Sequence, residues 1–153
     1  MEARNMIPVA AFVTVFSCLS FLAFFPNTSF ALTSFNVANN TFIFNPRTLS
    51  YKAINSRGKV VKRGRASGGR KGRRTPVGHF RVIRKQGASC YSSRYKARMP
   101  YCFFFRKLYA IHGFSSVPGY NASHGCIRLP ISDAKWLYHN FMRHGTRVIV
   151  KPY

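Results

Sequence analysis

Ser123 to Leu129 reads S-H-G-C-I-R-L. Cys126 stands directly after Gly125, two residues after His124 and two before Arg128. A second histidine, His112, lies upstream in Y-A-I-H-G (109–113), so a thiol, two imidazoles and a guanidinium fall within 17 residues. A thiolate is a strong nucleophile, an imidazole titrates near neutrality, and a guanidinium fits a carboxylate through two parallel hydrogen bonds. Together they suit attack on a carbonyl next to an anionic group. An isolated cysteine is more often a small core residue; the S-H-G and I-R flanks argue for a nucleophile.

Around this stretch the chain reads as strand and turn. Thr41–Asn45 puts Phe42 and Phe44 on one face and Ile43 on the other, and Leu49–Ile54 and Lys59–Arg65 follow after turns containing Pro46 and Gly58. A further strand is expected at His79–Arg84, two core strands at Tyr101–Phe105 and Leu108–Ile111, and a last one at Arg147–Lys151. Short apolar runs separated by Gly, Asn and Pro indicate a mainly β domain. Ser67–Arg74, S-G-G-R-K-G-R-R, is polar and glycine-rich, and is expected as an exposed loop. Thr75, Pro76 and Gly78 read as the turn into the strand at His79. One helix is expected after the cysteine motif. Ser132 is its predicted N-cap, Asp133 lies in the first turn, Ala134, Leu137, Tyr138 and Phe141 form the apolar stripe, and Gly145 stops it.

Residues 1–31 carry an apolar run from Met6 to about Phe25 and end in N-T-S-F-A, which reads as a secretory signal peptide cleaved after Ala31. About 20 apolar residues also suffice for an uncleaved membrane anchor. Leu32–Tyr153 would then form one domain. Without Arg4 and Glu2 it keeps 24 basic residues against Asp133 alone, a net +23. Such a surface binds polyanions. In an exported protein, anionic wall or envelope polymers are better candidates than nucleic acid, for which no recognition motif is present. Of the three remaining cysteines, Cys90 and Cys102 form the natural bridge in an oxidising compartment and leave Cys126 free. The alternative is three unpaired thiols. No metal-ligand spacing occurs, and no cofactor is called for.

From about Phe42 onward the sequence resembles the L,D-transpeptidase catalytic domain, the YkuD-like family. The resemblance rests on A-S-G-G (66–69), R-T-P-V-G-H-F-R-V (74–82), A-I-H-G (110–113), N-A-S-H-G-C-I-R-L (121–129) and the following S-D-A-x-x-L-Y. It implies a β-sandwich with one short helix, and a cysteine acyltransferase acting on peptidoglycan stem peptides. It also implies roles: Cys126 as nucleophile, His112 as base or ion-pair partner, and His124 as an active-site member. Gly125 and Ser123 would shape the oxyanion region, Arg128 would meet a substrate carboxylate, and Tyr120 and Asn121 would line the cleft. The acceptor could be a diaminoacid amine, a lysine of an outer-membrane lipoprotein, or water. A monomer is expected. Only 13 residues separate His112 from Cys126, so any lid must come from elsewhere, the Cys90–Cys102 loop being the candidate.

Overall fold

The computed structural model describes residues 40–153, so the expected leader lies outside the described residues. Strands β1 (Thr41–Asn45), β2 (Ser50–Ile54), β3 (Val60–Arg65), β4 (Gly78–Arg81) and β11 (Arg147–Val150) form one sheet in the order β3-β2-β1-β11-β4. A second sheet has the order β10-β9-β8-β5, from β5 (Arg84–Gln86), β8 (Cys102–Arg106), β9 (Tyr109–Gly113) and β10 (Ile127–Leu129). A two-stranded ribbon, β6 (Tyr91–Ser92) and β7 (Ala97–Arg98), and one helix, α1 (Ile131–Asn140), complete the described chain. The domain is mainly β, and among the described residues no helix is long and apolar enough to cross a membrane.

Residue parity decides which face is buried. In β1, Phe42 and Phe44 face inward and pair with Ala53 and Tyr51 of β2 and with Val148 and Val150 of β11. The second sheet contributes Phe103, Phe105, Ile111, Ile127 and Leu129 to the same core, and α1 adds Ala134 and Leu137. Strand β8 is buried on both faces. Phe103 and Phe105 join the main core, while Cys102 and Phe104 join a smaller cluster with Cys90, Met99 and Ala110. That smaller cluster exists because the segment 90–102 folds back over the outer face of the sheet. A Cys90–Cys102 disulfide closes it, and Met99 N–H donates to the Cys90 carbonyl at 2.9 Å.

Three expectations need correction. His79–Arg84 is not one strand: β4 ends at Arg81, and Arg84 opens β5 in the second sheet. Ser67–Arg74 is not exposed throughout: Ser67, Gly68 and Gly69 are buried, and the chain emerges only from Arg70. The reason is backbone pairing. Ser67 exchanges both backbone hydrogen bonds with Arg128 (3.0 and 2.8 Å), and Ser123 N–H donates to the Gly68 carbonyl at 2.9 Å. The helix is also shorter and differently capped. Pro130 is its N-cap, its carbonyl accepting from both Asp133 and Ala134, so Ser132 lies within the first turn. The helix ends at Asn140 because Phe141 and Met142 turn into the core. Gly145, at φ +82, instead serves the turn into β11, where its N–H donates to the Val82 carbonyl.

Asp133 anchors the helix start to the first sheet. It accepts from the Tyr51 hydroxyl at 2.9 Å and pairs with Lys62 at 3.1 Å. Gly64 makes room for this contact, since a Cβ there would come within 2.6 Å of the Asp133 carboxylate.

Candidate active site

Strands β9 and β10 run parallel, with Ile111 opposite Ile127 and His112 opposite Arg128. Ile111 and Ile127 point into the main core, so His112 and Arg128 point to the other face. Cys126, one residue before β10, shares Arg128's parity and packs against the cluster around Ala110 and Met99. The sheet thus presents a thiol, an imidazole and a guanidinium on one face, under the disulfide-closed ribbon. They meet at a narrow cavity of about 40 Å³, lined also by Phe114, Ser123, His124 and the ribbon residues Ser92, Tyr95, Ala97 and Met99. Phe114 joins two of them, standing edge-on to His112 and carrying the Arg128 guanidinium 4.2 Å over its ring.

The turn into Cys126 is built by Ser123. Its buried hydroxyl donates to the Cys126 carbonyl at 2.5 Å and accepts from Gly125 N–H at 2.9 Å. Gly125 has φ +123, and a Cβ there would lie 2.6 Å from the Tyr109 ring, so the turn requires glycine on both counts. The Ser67–Gly69 segment holds this turn from below. Ser67 Oγ donates to the Tyr120 carbonyl at 2.7 Å and accepts from Ala122 N–H at 3.1 Å. Thr75 Oγ1 accepts from Gly69 N–H at 3.0 Å, and the Tyr153 hydroxyl from Thr75 N–H at 2.9 Å.

His112 is buried, with Nδ1 2.8 Å from the Gly113 carbonyl. A carbonyl only accepts, so Nδ1 carries the proton and Nε2 keeps its lone pair. Burial pushes the His112 pKa down to about 4, more than the Gly113 contact restores, and the Arg128 charge lowers it further. Burial raises the Cys126 thiol, partly offset by the Ala110 backbone N–H and the Arg128 charge. The resting pair at neutral pH is therefore thiol and neutral imidazole, not thiolate and imidazolium. His124 is exposed, and its pKa is lowered by desolvation and by the charges of Arg70, Arg73 and Arg128.

The YkuD family, the L,D-transpeptidase catalytic domain, matches residues 41–150. The chain belongs to this family of L,D-transpeptidase domains. The Bacillus subtilis protein YciB, described as a putative L,D-transpeptidase, is 36% identical over an alignment of 94 residues, and the match covers 50% of this chain and 46% of that protein. The crystal structure of an L,D-transpeptidase from Xylanimonas cellulosilytica is 34% identical, with a TM-score of 0.65, over 73% of this chain and 60% of that one. An L,D-transpeptidase from Stackebrandtia nassauensis shares the fold at a TM-score of 0.68 and 24% identity, over 74% of this chain and 56% of that one. The chain thus spans about half to three fifths of the length of these relatives.

Within this L,D-transpeptidase domain, the two remaining sequence candidates lie outside the cavity lining. Tyr120 is 66% exposed and contributes its carbonyl to Ser67. The Asn121 side chain is a brace, accepting from Gly68 N–H at 2.9 Å and donating to the Pro46 carbonyl at 3.0 Å. Sequence reasoning missed Tyr95, Met99 and Phe114, which wall the cavity, and Tyr109, which packs under Gly125. Tyr95, Met99 and Phe114 sit in aromatic or basic surroundings where nothing in the local pattern distinguishes a wall from a core or surface residue. For Tyr109, its place in Y-A-I-H-G was the available signal.

Proposed function

We propose that the domain is a peptidoglycan L,D-transpeptidase working through a thioester on Cys126. The observation that carries this reading is the sharing of one sheet face and one cavity by Cys126, His112 and Arg128. Attack begins as Cys126 Sγ bonds to the carbonyl between the L-centre of a diaminoacid and the terminal D-alanine. The thiol proton passes to Nε2 of His112, the position that the Gly113 contact leaves unprotonated. Collapse of the tetrahedral intermediate breaks the C–N bond, and the imidazolium returns the proton to the departing amine of D-alanine. The low pKa of His112 makes that imidazolium a strong acid, well suited to this return. Gly125 N–H is engaged by Ser123 Oγ, so oxyanion stabilisation falls to a neighbouring amide such as that of Cys126. Arg128 pairs with the D-alanine carboxylate. An acceptor amine then attacks the thioester, giving a 3→3 cross-link or attachment of a lipoprotein; water in its place gives carboxypeptidase activity. The site of action in this reading is the cell envelope, outside the cytoplasm.

Mass spectrometry of the protein incubated with tetrapeptide muropeptides, beside the Cys126→Ala variant, tests the reading. Loss of D-alanine with a dimeric product, absent in the variant, supports transpeptidation, and D-alanine loss alone indicates hydrolysis. A folded protein with a free thiol that gives neither product nor acyl adduct would leave a catalytically idle, cationic wall-binding domain as the better account.

A further inference from the structure

A second cavity reaches Cys126. It lies toward the β8 and β5 side of the sheet, whereas the cavity with His112 and Arg128 lies over β9 and β10. Its volume is about 180 Å³, and it shares Ser92, Tyr95, Met99 and Cys126 with the first, so the ribbon runs between two approaches to one sulfur. Met99 and Phe104 give it an apolar floor, and three separate segments give it cations: Arg84 from β5, Arg94 from the β6–β7 turn and Lys107 from the β8–β9 turn. Arg84 is held over the Phe104 ring at 4.0 Å, its cross-strand partner, and so is not a freely swinging side chain. Among the described residues no acidic side chain neutralises this cluster. Asp133 is the single acidic residue beyond Glu2, and it is taken by Lys62 and Tyr51 on the first sheet.

The two cavities are chemically unequal, and that assigns the halves of a substrate. His112 lines only the first, so the amine it protonates must leave there. The acyl portion, on the other side of the attacked carbonyl, then extends into the second. Resting on the transpeptidase reading above, we propose that the second cavity binds the acyl half of the donor through a free carboxylate on the diaminoacid side chain. Arg84, Arg94 and Lys107 thereby select stem peptides bearing that carboxylate over those in which it is amidated or lacking. Three uncompensated cations over an apolar floor favour an anion on an aliphatic stem and gain little from a neutral carboxamide.

Two measurements on the whole protein test this. The first needs no turnover: the rates of Cys126 alkylation by iodoacetate and by iodoacetamide, which are similar in size and differ in charge. Both reagents form the thioether with loss of iodide. The ratio of the two rates should fall about fivefold in a triple variant Arg84→Gln, Arg94→Gln, Lys107→Gln. It should hold in a control losing the same charge elsewhere, Lys52→Gln, Arg57→Gln, Lys59→Gln. An equal fall in both variants means a general charge field and overturns the pocket. The second compares tetrapeptide donors with the diaminoacid carboxylate free or amidated. The free acid should show the higher kcat/KM, and the preference should collapse in the first variant through a raised KM. Equal turnover of both donors by the wild type overturns the selection alone. Turnover of neither by a folded protein sinks the transpeptidase reading and the donor assignment with it.

Discussion

The ring of Tyr95 lies flat on that of His124, with centroids 4.7 Å apart and planes 12° from parallel. Tyr95 is at the tip of the disulfide-closed ribbon and His124 is two residues before Cys126, so this contact fastens the strap to the turn that presents the thiol. Replacing Tyr95 by Ala removes a stack worth about 1 kcal/mol and should lower kcat/KM roughly fivefold. Tyr95→Phe keeps the stacking face and should restore most of it. Steady-state kinetics of the two variants check this, and equal losses in both would shift the role to the hydroxyl.

Reduction of Cys90–Cys102 should loosen the same strap. The bridge closes a loop of 13 residues, and losing it should cost about 3 kcal/mol of stability, to the extent that it restricts the unfolded chain. Urea melts of the Cys90→Ala, Cys102→Ala double variant measure the cost. Cys126 should become more open to a bulky maleimide at the same time.

His112 makes stability depend on pH in a stated direction. Its pKa is near 6.5 in the unfolded chain and about 4 when folded, so between these values the unfolded chain binds more protons. The contribution is fully present above pH about 6.5 and is lost progressively as the pH falls to about 4, a total of about 3 kcal/mol. Denaturant midpoints measured across that range should show the fall, and His112→Gln should flatten it. In the proposed mechanism, where His112 takes the thiol proton, the same variant should also reduce acylation by about 10²-fold or more.

The thiol of Cys126 should titrate above the ordinary cysteine range, because burial outweighs the help of Ala110 N–H and Arg128. The pH profile of iodoacetamide alkylation reports this directly. Arg128→Gln removes a charge that favours the thiolate and should move the midpoint further up; a downward move would contradict the assigned electrostatics.

Gly125→Ala introduces two costs at once, a side chain at φ +123 and a Cβ 2.6 Å from the Tyr109 ring. A loss of about 1–3 kcal/mol is expected in thermal or denaturant unfolding. Tyr109→Ala relieves only the steric part and has its own cost in lost packing against the core, so the two stability losses should combine to less than their sum, with little activity recovered.

Parity and motif were legible in the sequence because both are local. Alternation in T-F-I-F-N and the apolar run C-F-F-F sufficed to place β1 and β8, and S-H-G-C-I-R-L pointed to Cys126 from spacing alone. Whatever depended on distant partners was not legible. Ser67–Gly69 reads as a solvated loop until its backbone groups are seen pairing with Ser123 and Arg128. The helix end depended on the burial of Phe141 and Met142, which belongs to the tertiary core and not to the helical repeat. Tyr95 carried no local mark, since its role comes from a ribbon folding over a strand that lies later in the chain. Cys90 and Cys102 fall between these cases, their pairing being argued from an odd cysteine count.

The Asp133 contacts have a consequence for where the domain is stable. With the one acidic side chain among the described residues spent on the helix start, most of the cations there lack an acidic side-chain partner, and compaction crowds charges that the unfolded chain holds farther apart. The missing counterions have to be supplied from outside. A polyanion that binds the compact form better than the unfolded chain raises its stability by mass action. Folding and location are then linked: the domain is at its most robust against an anionic matrix and most easily unfolded in dilute, low-salt solution.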